Sequence, residues 1–363
     1  MRVGIVFGGP SVEHDISIIT ASQIFASIDK KKYDVMLIYY SKDRKFYQVR
    51  NLSCVEKFEE DIKLLDELTI NRLGAKKRGK FRGIKTIDCF ICAFHGKNME
   101  GGELAGYFET LGIPYTSSGV LGSSVGQDKI IMKKILSYDE INVVPYVCIN
   151  GDEFRQKKDI FIDKINILGY PVIVKPSMLG SSIGIKVAKS ENELLKSLNL
   201  ALKYDNFVIV EKALSNFREF NCAIIGELVS EIEEVEVKND IFSFSDKYES
   251  NNRKTILPAI INNELKDQII EITKKTSASL RNESLARIDF LYDNDNEILY
   301  VNEINTIPGA LSYYLFEANG IYFDELIDIL INNAMKKDYK NKLLINSFNS
   351  NVLKQRKNNK LNK

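Results

Sequence analysis

ARIDFLYDNDNEILYVNEIN, residues 286–305, reads as two β-strands joined by the turn-rich loop DNDNE at 293–297. Symmetric closure of that loop pairs Asp289 with Val301 and Arg287 with Glu303. Side chains alternate along a strand, so one face carries Arg287, Asp289, Glu303 and Asn305. The other carries Ile288, Phe290, Tyr300 and Ile304, the natural core face. Two carboxylates and an amide oxygen converging in this way suit a hard cation such as Mg²⁺, which takes oxygen ligands and bridges substrate phosphates. The same pattern also fits a solvated hairpin in which Arg287–Glu303 is an ordinary cross-strand ion pair.

The hairpin ends a region of antiparallel character. Strands are expected at 221–225 and 227–237, followed by the polar loop NDIFSFSDKYESNNRK at 239–254 and a helix at 263–281. The length and polarity of that loop, with Lys247-Tyr248 inside it, suit a mobile lid or an ordinary surface loop. A helix at 322–336 closes the readable chain, and the Lys/Asn-rich tail 349–363 reads as a frayed, solvated end.

Upstream, VIVKPSMLGSSIGIKV (172–187) ends a strand at Lys175 and turns through Gly180-Ser181-Ser182-Ile183-Gly184 into another strand, 183–188. Such a loop cradles phosphates with backbone N–H groups while Lys175 supplies a point charge. A plain Gly/Ser hairpin turn is the alternative. FVIVEKAL (207–214) is a buried strand whose end, Glu211-Lys212, either presents backbone groups to an adenine edge or simply meets solvent. A helix at 191–204 precedes it, and VLGSSVGQDKIIMKKILS (120–137) reads as one helix carrying Lys129, Lys133 and Lys134.

The first third alternates strands (3–7, 33–40, 89–94) with helices (16–28, 101–111), which argues a parallel sheet with helices on its faces. Glu13 follows the Gly8-Gly9-Pro10 turn near a helix N-terminus, where a carboxylate is favoured by the helix dipole whatever else it does. Segment 41–87 is charged and irregular and yields no element. Neither G-x-x-x-x-G-K-[ST] nor a G-x-G-x-x-G after the first strand is present, which excludes the two commonest nucleotide signatures, the NAD-type fingerprint among them.

Composition narrows the partners. With 50 Lys+Arg against 49 Asp+Glu the net charge is +1, which gives no electrostatic reason to expect nucleic acid or an anionic membrane. The start MRVGIVFGGP is not a secretory signal, and no run approaches the roughly 20 apolar residues of a membrane span, so the cytoplasm is the expected compartment. Five cysteines in 363 residues make no disulfide scaffold. The pair Cys89 and Cys92 lacks zinc partners, since His14 and His95 are the chain's two histidines, and reads as buried core.

Taken in order, FGGPSVEHDIS, HGKNMEGG, LGIPYTSSGVLGS, QDK, PVIVKPSMLGSS, VEKAL, REF, DKY, ARIDF and NEINTIPG closely resemble the D-alanine–D-alanine ligases, ATP-grasp enzymes of peptidoglycan and cell-wall synthesis. The resemblance runs from about residue 1 to 335. It implies an α/β and α+β fold of three domains: a Rossmann-like, parallel-sheet pre-ATP-grasp domain at 1–124, a central ATP-grasp subdomain at 125–214, and a C-terminal subdomain at 215–340 with the metal site and lid. A polar tail, 341–363, follows.

The resemblance further implies ATP as co-substrate with two Mg²⁺ (or Mn²⁺) ions held by Asp289, Glu303 and Asn305. Lys129 and Lys175 would contact the phosphates with Ser182, while Glu211, Lys212 and Leu214 lie along the adenine and Glu219 on the ribose. Lys247 would close over the γ-phosphate. The first D-alanine carboxylate attacks that phosphate to give an acyl-phosphate and ADP, and the amine of the second D-alanine then attacks the acyl carbon. Glu13, in a network with Ser181 and Tyr248, would pair with the first substrate's ammonium group. Arg287 and the N–H of Gly309 would stabilise the oxyanion, and Tyr314 and Leu315 would border the second substrate. A homodimer without nucleic-acid or membrane partners is implied.

Four positions depart from the family pattern. Leu179 stands where Glu usually precedes G-S-S, Phe242 where a lid Tyr is common, and Tyr314 where a Ser usually helps hold the second carboxylate; KNMEGG replaces the commoner G-E-D-G. Tyr314 leaves open an acceptor such as D-serine, D-lactate or another amino acid. A non-catalytic ATP-binding relative is the remaining alternative.

Overall fold

The computed structural model describes residues 1–52, 58, 65–80, 83–236, 254–348 and 350. The expected lid segment, with Phe242, Lys247 and Tyr248, and almost all of the tail lie outside these. Three sheets in chain order carry the fold.

The first sheet is built on β1 (Arg2–Gly8), which pairs in parallel with β2 (Asp34–Tyr40) and β6 (Cys89–Cys92). A central parallel strand is covered on both faces, hence the unbroken apolar run in which Val3, Ile5, Val6 and Phe7 are fully buried. Cys89 and Cys92 are free and buried, and burial pushes the Cys92 thiol up to about 11, as a core role requires. Helices α1 (His14–Ser27) and α2 (Glu103–Leu111) flank this sheet. The unread segment 41–87 extends it by three antiparallel strands, β3 (Phe46–Val49), β4 (Asp66–Asn71) and β5 (Gly74–Lys77). They bury one face only, through Leu68, Ile70 and Ala75. Their solvent side holds pairs such as Lys77–Asp66 at 2.5 Å and Arg78–Glu67 at 2.6 Å, and this charge hid the strands.

The helix expected over 120–137 is two, α3 (Val120–Gln127) and α4 (Lys129–Tyr138). The break is Asp128, extended at φ −90° and ψ 102°, whose carboxylate caps α4 by accepting from the N–H groups of Ile130 and Ile131. The second sheet is antiparallel, in the order β7 (Tyr146–Asn150), β10 (Phe207–Lys212), β8 (Val172–Pro176), β9 (Lys186–Ala188). Helices α5 (Gly151–Gln156), α6 (Lys158–Leu168) and α7 (Glu191–Ala201) supply much of its apolar cluster. The strand expected at 183–188 starts only at Lys186, because Ser181 (φ 54°) and Ser182 (φ 58°) take the left-handed conformation inside a turn.

The third sheet runs β13 (Thr255–Ile256), β12 (Leu228–Val235), β11 (Phe217–Ile225), β14 (Leu285–Asp293), β15 (Ile298–Asn305), with α8 (Asn263–Ser279) packed on β11. The hairpin register differs from symmetric closure. Asp289 faces Glu303, Arg287 faces Asn305, and a bulge follows, so that Phe290 faces Val301. Asn302 is the extra residue, and it reverses the parity of the strand before it. Leu299 and Val301 therefore fill the core where Tyr300 was expected. After α9 (Tyr313–Glu317), α10 (Phe323–Lys342) returns to the first sheet, where Leu326, Ile327, Leu330 and Ile331 join its apolar cluster. Among the described residues no helix is long and apolar enough to cross a membrane.

Candidate active site

A cavity of about 260 Å³ opens where the first turn of α1, the Gly180–Ser182 loop and the β14–β15 hairpin meet. Glu13, Ser181, Glu219, Arg287, Asp289, Glu303, Asn305, Gly309 and Tyr314 all line it. Glu13 is the N-cap residue of α1, but its side chain caps nothing there; it is buried and accepts a hydrogen bond from Ser181 Oγ. The dipole role allowed by the sequence is thus at most a part of what it does. Two glycines make the room: a Cβ on Gly180 would stand 3.0 Å from Glu13 Oε2, and one on Gly96, at φ 79°, would collide with the same carboxylate.

On the hairpin, Arg287 makes a two-pronged contact with Asp289, Nε to Oδ1 at 2.6 Å and Nη2 to Oδ2 at 2.8 Å. Burial works against the guanidinium charge, but the Asp289 carboxylate outweighs it and keeps its pKa raised well above the ordinary value. Asn305 Nδ2 donates to Asp289 Oδ2 at 3.1 Å, which leaves the amide oxygen for another partner. Glu303 lies 3.3 Å from Lys129 Nζ. The cross-strand Arg287–Glu303 pair allowed by the sequence does not form; the register sets Arg287 opposite Asn305.

Three lysines sit in from this face. Lys129 Nζ donates to the backbone carbonyl of Leu179 at 2.8 Å. Lys175 Nζ donates to Glu211 Oε2 at 2.6 Å and to Asn302 Oδ1 at 3.2 Å. Lys133, fully buried, is 3.0 Å from Glu211 Oε1. Burial opposes ionisation of Glu211, yet the two ammonium groups win and hold its carboxyl at about 2. The Glu211 side chain is thus committed to lysines, and its backbone pairs with β7 and β8. Lys212 is exposed, Leu214 and Ser182 are half-buried, and these three lie outside the cavity lining.

Beyond the hairpin, a Cβ on Gly309 would meet nothing within 4 Å, so the space before it is open. Tyr314 donates its hydroxyl proton to Glu233 Oε2 at 2.9 Å, and Asn221 Nδ2 donates to the same oxygen at 2.9 Å. Leu315 does not border the cavity: it is fully buried in the apolar cluster of the first sheet. Consecutive residues on a helix point about 100° apart, and here that turn carries Leu315 into the core while Tyr314 borders the cavity.

Several participants were not singled out from sequence. Lys133 was seen only as a charge on a helix. Glu233 carries no signal that separates it from Glu231 and Glu234. His95 and Glu100 stand in the quoted motif HGKNMEGG, and both line the cavity. Burial holds His95 neutral, with its pKa down at about 4. Burial, reinforced by Glu13, lifts the Glu100 carboxyl to about 7.

Comparison with known proteins decides the family. The family model described as D-ala D-ala ligase N-terminus matches residues 2–118, and the one described as D-ala D-ala ligase C-terminus matches residues 135–332. The chain belongs to the D-alanine–D-alanine ligase family. A protein of Thermosipho melanesiensis named D-alanine–D-alanine ligase is 40% identical, with 98% of each chain covered. One of the same name from Caldicellulosiruptor bescii is 34% identical over 94% of this chain and 97% of its own. Among solved structures, the VanG D-Ala:D-Ser ligase of Enterococcus faecalis superposes with a TM-score of 0.80 at 29% identity, covering 92% of this chain and 99% of that one. The D-alanine–D-alanine ligase of Helicobacter pylori gives 0.72 at 28% identity, covering 92% and 98%. The ATP-grasp fold expected from the motifs is the fold observed.

Proposed function

We propose that this chain joins two D-alanine molecules into D-alanyl-D-alanine with conversion of ATP to ADP and phosphate, in the cytoplasm and as a homodimer, for peptidoglycan precursor synthesis. The observation that carries this is the single cavity shared by the Glu13–Ser181 pair, the Asp289–Glu303–Asn305 face and Arg287 beside Gly309. The division into three domains, at 1–124, 125–214 and 215–340, is part of this reading and is supported by the succession of three sheets along the chain.

Asp289, Glu303 and the Asn305 amide oxygen form an all-oxygen donor set that fits Mg²⁺ or Mn²⁺. Among the described residues no group of three His, Cys, Asp or Glu side chains is placed to hold a metal ion; in this reading the ions would share their remaining positions with phosphate oxygens and water. When bound, the ions supply charge neutralisation at the transferring phosphoryl group. Lys129 and Lys175 flank the same region and add point charges there. Glu13, backed by Ser181, receives the ammonium of the first amino acid and so aims its carboxylate toward the phosphate side. Arg287, fixed by Asp289, and the N–H of Gly309 face the oxyanion that forms when the second amine attacks. Lys247 and Tyr248 complete the site from the lid in this reading, excluding water that would hydrolyse the acyl-phosphate.

The retained Arg287, Asp289, Glu303 and Asn305 weigh against a non-catalytic relative. A second reading, ligation of D-alanine to a different acceptor, is favoured by one observation, Tyr314 with its hydroxyl committed to Glu233. The similarity to the VanG D-Ala:D-Ser ligase makes D-serine the first alternative to try. The test is ATP-dependent phosphate release with Mg²⁺ and D-alanine, with L-alanine, D-serine and D-lactate alongside and products identified by mass. D-alanyl-D-alanine is expected. A mixed product alone would establish the second reading, and ATP binding without any product would overturn both.

A further inference from the structure

The loop Thr306 to Gly309, which brings Gly309 to the cavity, is anchored by the N-terminal part of the chain. Glu100 Oε1 accepts from Ile307 N at 2.9 Å and from Thr306 Oγ1 at 3.1 Å, while its Oε2 accepts from Gly96 N at 3.2 Å. His95 Nδ1 lies 2.8 Å from the Ile307 carbonyl, and its Nε2 lies 2.8 Å from Thr20 Oγ1. A neutral imidazole serves both contacts when Nδ1 carries the proton. Thr20 Oγ1 in turn accepts from Ala310 N at 3.2 Å. These contacts hold a conformation the loop does not adopt by preference. Ala310, Leu311 and Ser312 all have left-handed backbones, at φ 51°, 53° and 46°, which L-residues with side chains avoid.

The other end of the Glu100 bridge is equally specific. Gly96, whose N–H it receives, is one of the two glycines packed against the Glu13 carboxylate. One buried side chain thus spans the turn behind the donor-ammonium contact and the loop that presents the oxyanion donor. We propose that Glu100 is a positioning residue for the second half of the reaction, coupling the Gly96 turn at Glu13 to the Thr306–Gly309 loop. This rests on the ligase reading above. Glu100 touches neither reacting group in this role; it fixes where Gly309 stands when the acceptor amine attacks.

The chemistry of the side chain defines the test. A carboxylate offers acceptors on both oxygens, and a Gln offers one. Glu100→Gln keeps an acceptor for Ile307 and Thr306 but turns an N–H toward Gly96 N–H, whereas Glu100→Ala removes both ends. ADP and D-alanyl-D-alanine are measured together on the full chain with Mg²⁺, ATP and D-alanine. Wild type is expected to give one ADP per dipeptide. Glu100→Ala is expected to lower kcat for dipeptide about 100-fold and Glu100→Gln about 10-fold, the scale of a displaced oxyanion donor. KM for ATP should stay within about twofold, because the phosphate lysines are untouched. The deciding readout is the ratio: ADP per dipeptide rises above one, since an acyl-phosphate that is not captured passes to water. A loss of folded protein lowers both products alike, so an unchanged ratio in both variants overturns the proposal. If Glu100→Ala does not fold, the Glu100→Gln ratio decides. Wild type that forms no dipeptide is a different result, which removes the ligase reading and this proposal with it.

Discussion

Glu211 is 1% exposed and meets two ammonium groups, Lys133 and Lys175, so its charge is held by geometry rather than by water. Glu211→Gln removes the shared counter-charge and strands both lysines. Breaking a buried pair in this way costs roughly 3 kcal/mol. The midpoint of urea unfolding should fall accordingly, and KM for ATP should rise as Lys175 loses its anchor; an unchanged midpoint would show that the lysines find other partners. Glu211 and Lys175 were each marked by sequence for nucleotide binding on their own account, Lys133 only as a charge on a helix. Their mutual neutralisation was not legible, because it depends on the strand register. Lys175 faces Ile209 across β8–β10, which makes Glu211 its diagonal neighbour on one face. Tyr314 poses the complementary case, a side chain legible as unusual but not in its partner. With its hydroxyl given to Glu233, its ring acts as a wall of the cavity. Tyr314→Ser should therefore relax the preference for D-alanine over a bulkier D-amino acid acceptor by about 10-fold, the size of a pocket-filling effect. KM for ATP should not move; if it alone moves, Tyr314 does not border the acceptor.

At the scale of elements, two irregularities place the chemistry. Asp128 ends α3, caps α4 and accepts from Ser177 Oγ at 2.6 Å, so it seats Lys129, the first residue of α4, against the Gly180 loop. Asp128→Ala should cost about 1 kcal/mol of stability, as the loss of a cap does. It should also lower kcat/KM for ATP more than kcat, since Lys129 is displaced rather than removed; equal effects on both would argue that Lys129 holds its place without the cap. The motif QDK was in view, but a continuous helical pattern from 120 to 137 concealed the break. The bulge in the β14–β15 hairpin explains why the carboxylate face was nonetheless read correctly. Residues 303 and 305 keep the same parity against Arg287 and Asp289 in either register, and the slip falls beyond them, at Asn302. Only the core face was misassigned, Leu299 and Val301 taking the place of Tyr300. Period-two patterning fixes a face, but it does not reveal an inserted residue.

Across the whole molecule, the contacts that tie the first sheet to the β15 loop contain two buried titrating groups with opposite leanings. His95 titrates at about 4 in the folded chain against 6.5 ordinarily, because burial excludes its charged form. As pH falls from 6.5 to 4 the unfolded chain takes up a proton that the folded chain refuses, so His95 withdraws about 3 kcal/mol of stability. Glu100 titrates at about 7 against 4.5, from burial and from Glu13. Between those values the folded chain keeps a proton that the unfolded chain has lost, so falling pH returns stability of similar size through Glu100. The two nearly cancel. Wild-type stability should therefore change little between pH 7 and 5, and should drop below about pH 4.5 as Glu211, depressed to about 2, begins to be protonated in the unfolded chain. Removing either partner exposes the other. Glu100→Gln should lose stability steadily as pH falls from 6.5 to 4, whereas His95→Asn should gain stability from pH 7 down to 5. Urea unfolding at a series of pH values reads both slopes. Parallel profiles for wild type and the two variants would mean that neither group titrates as its burial requires.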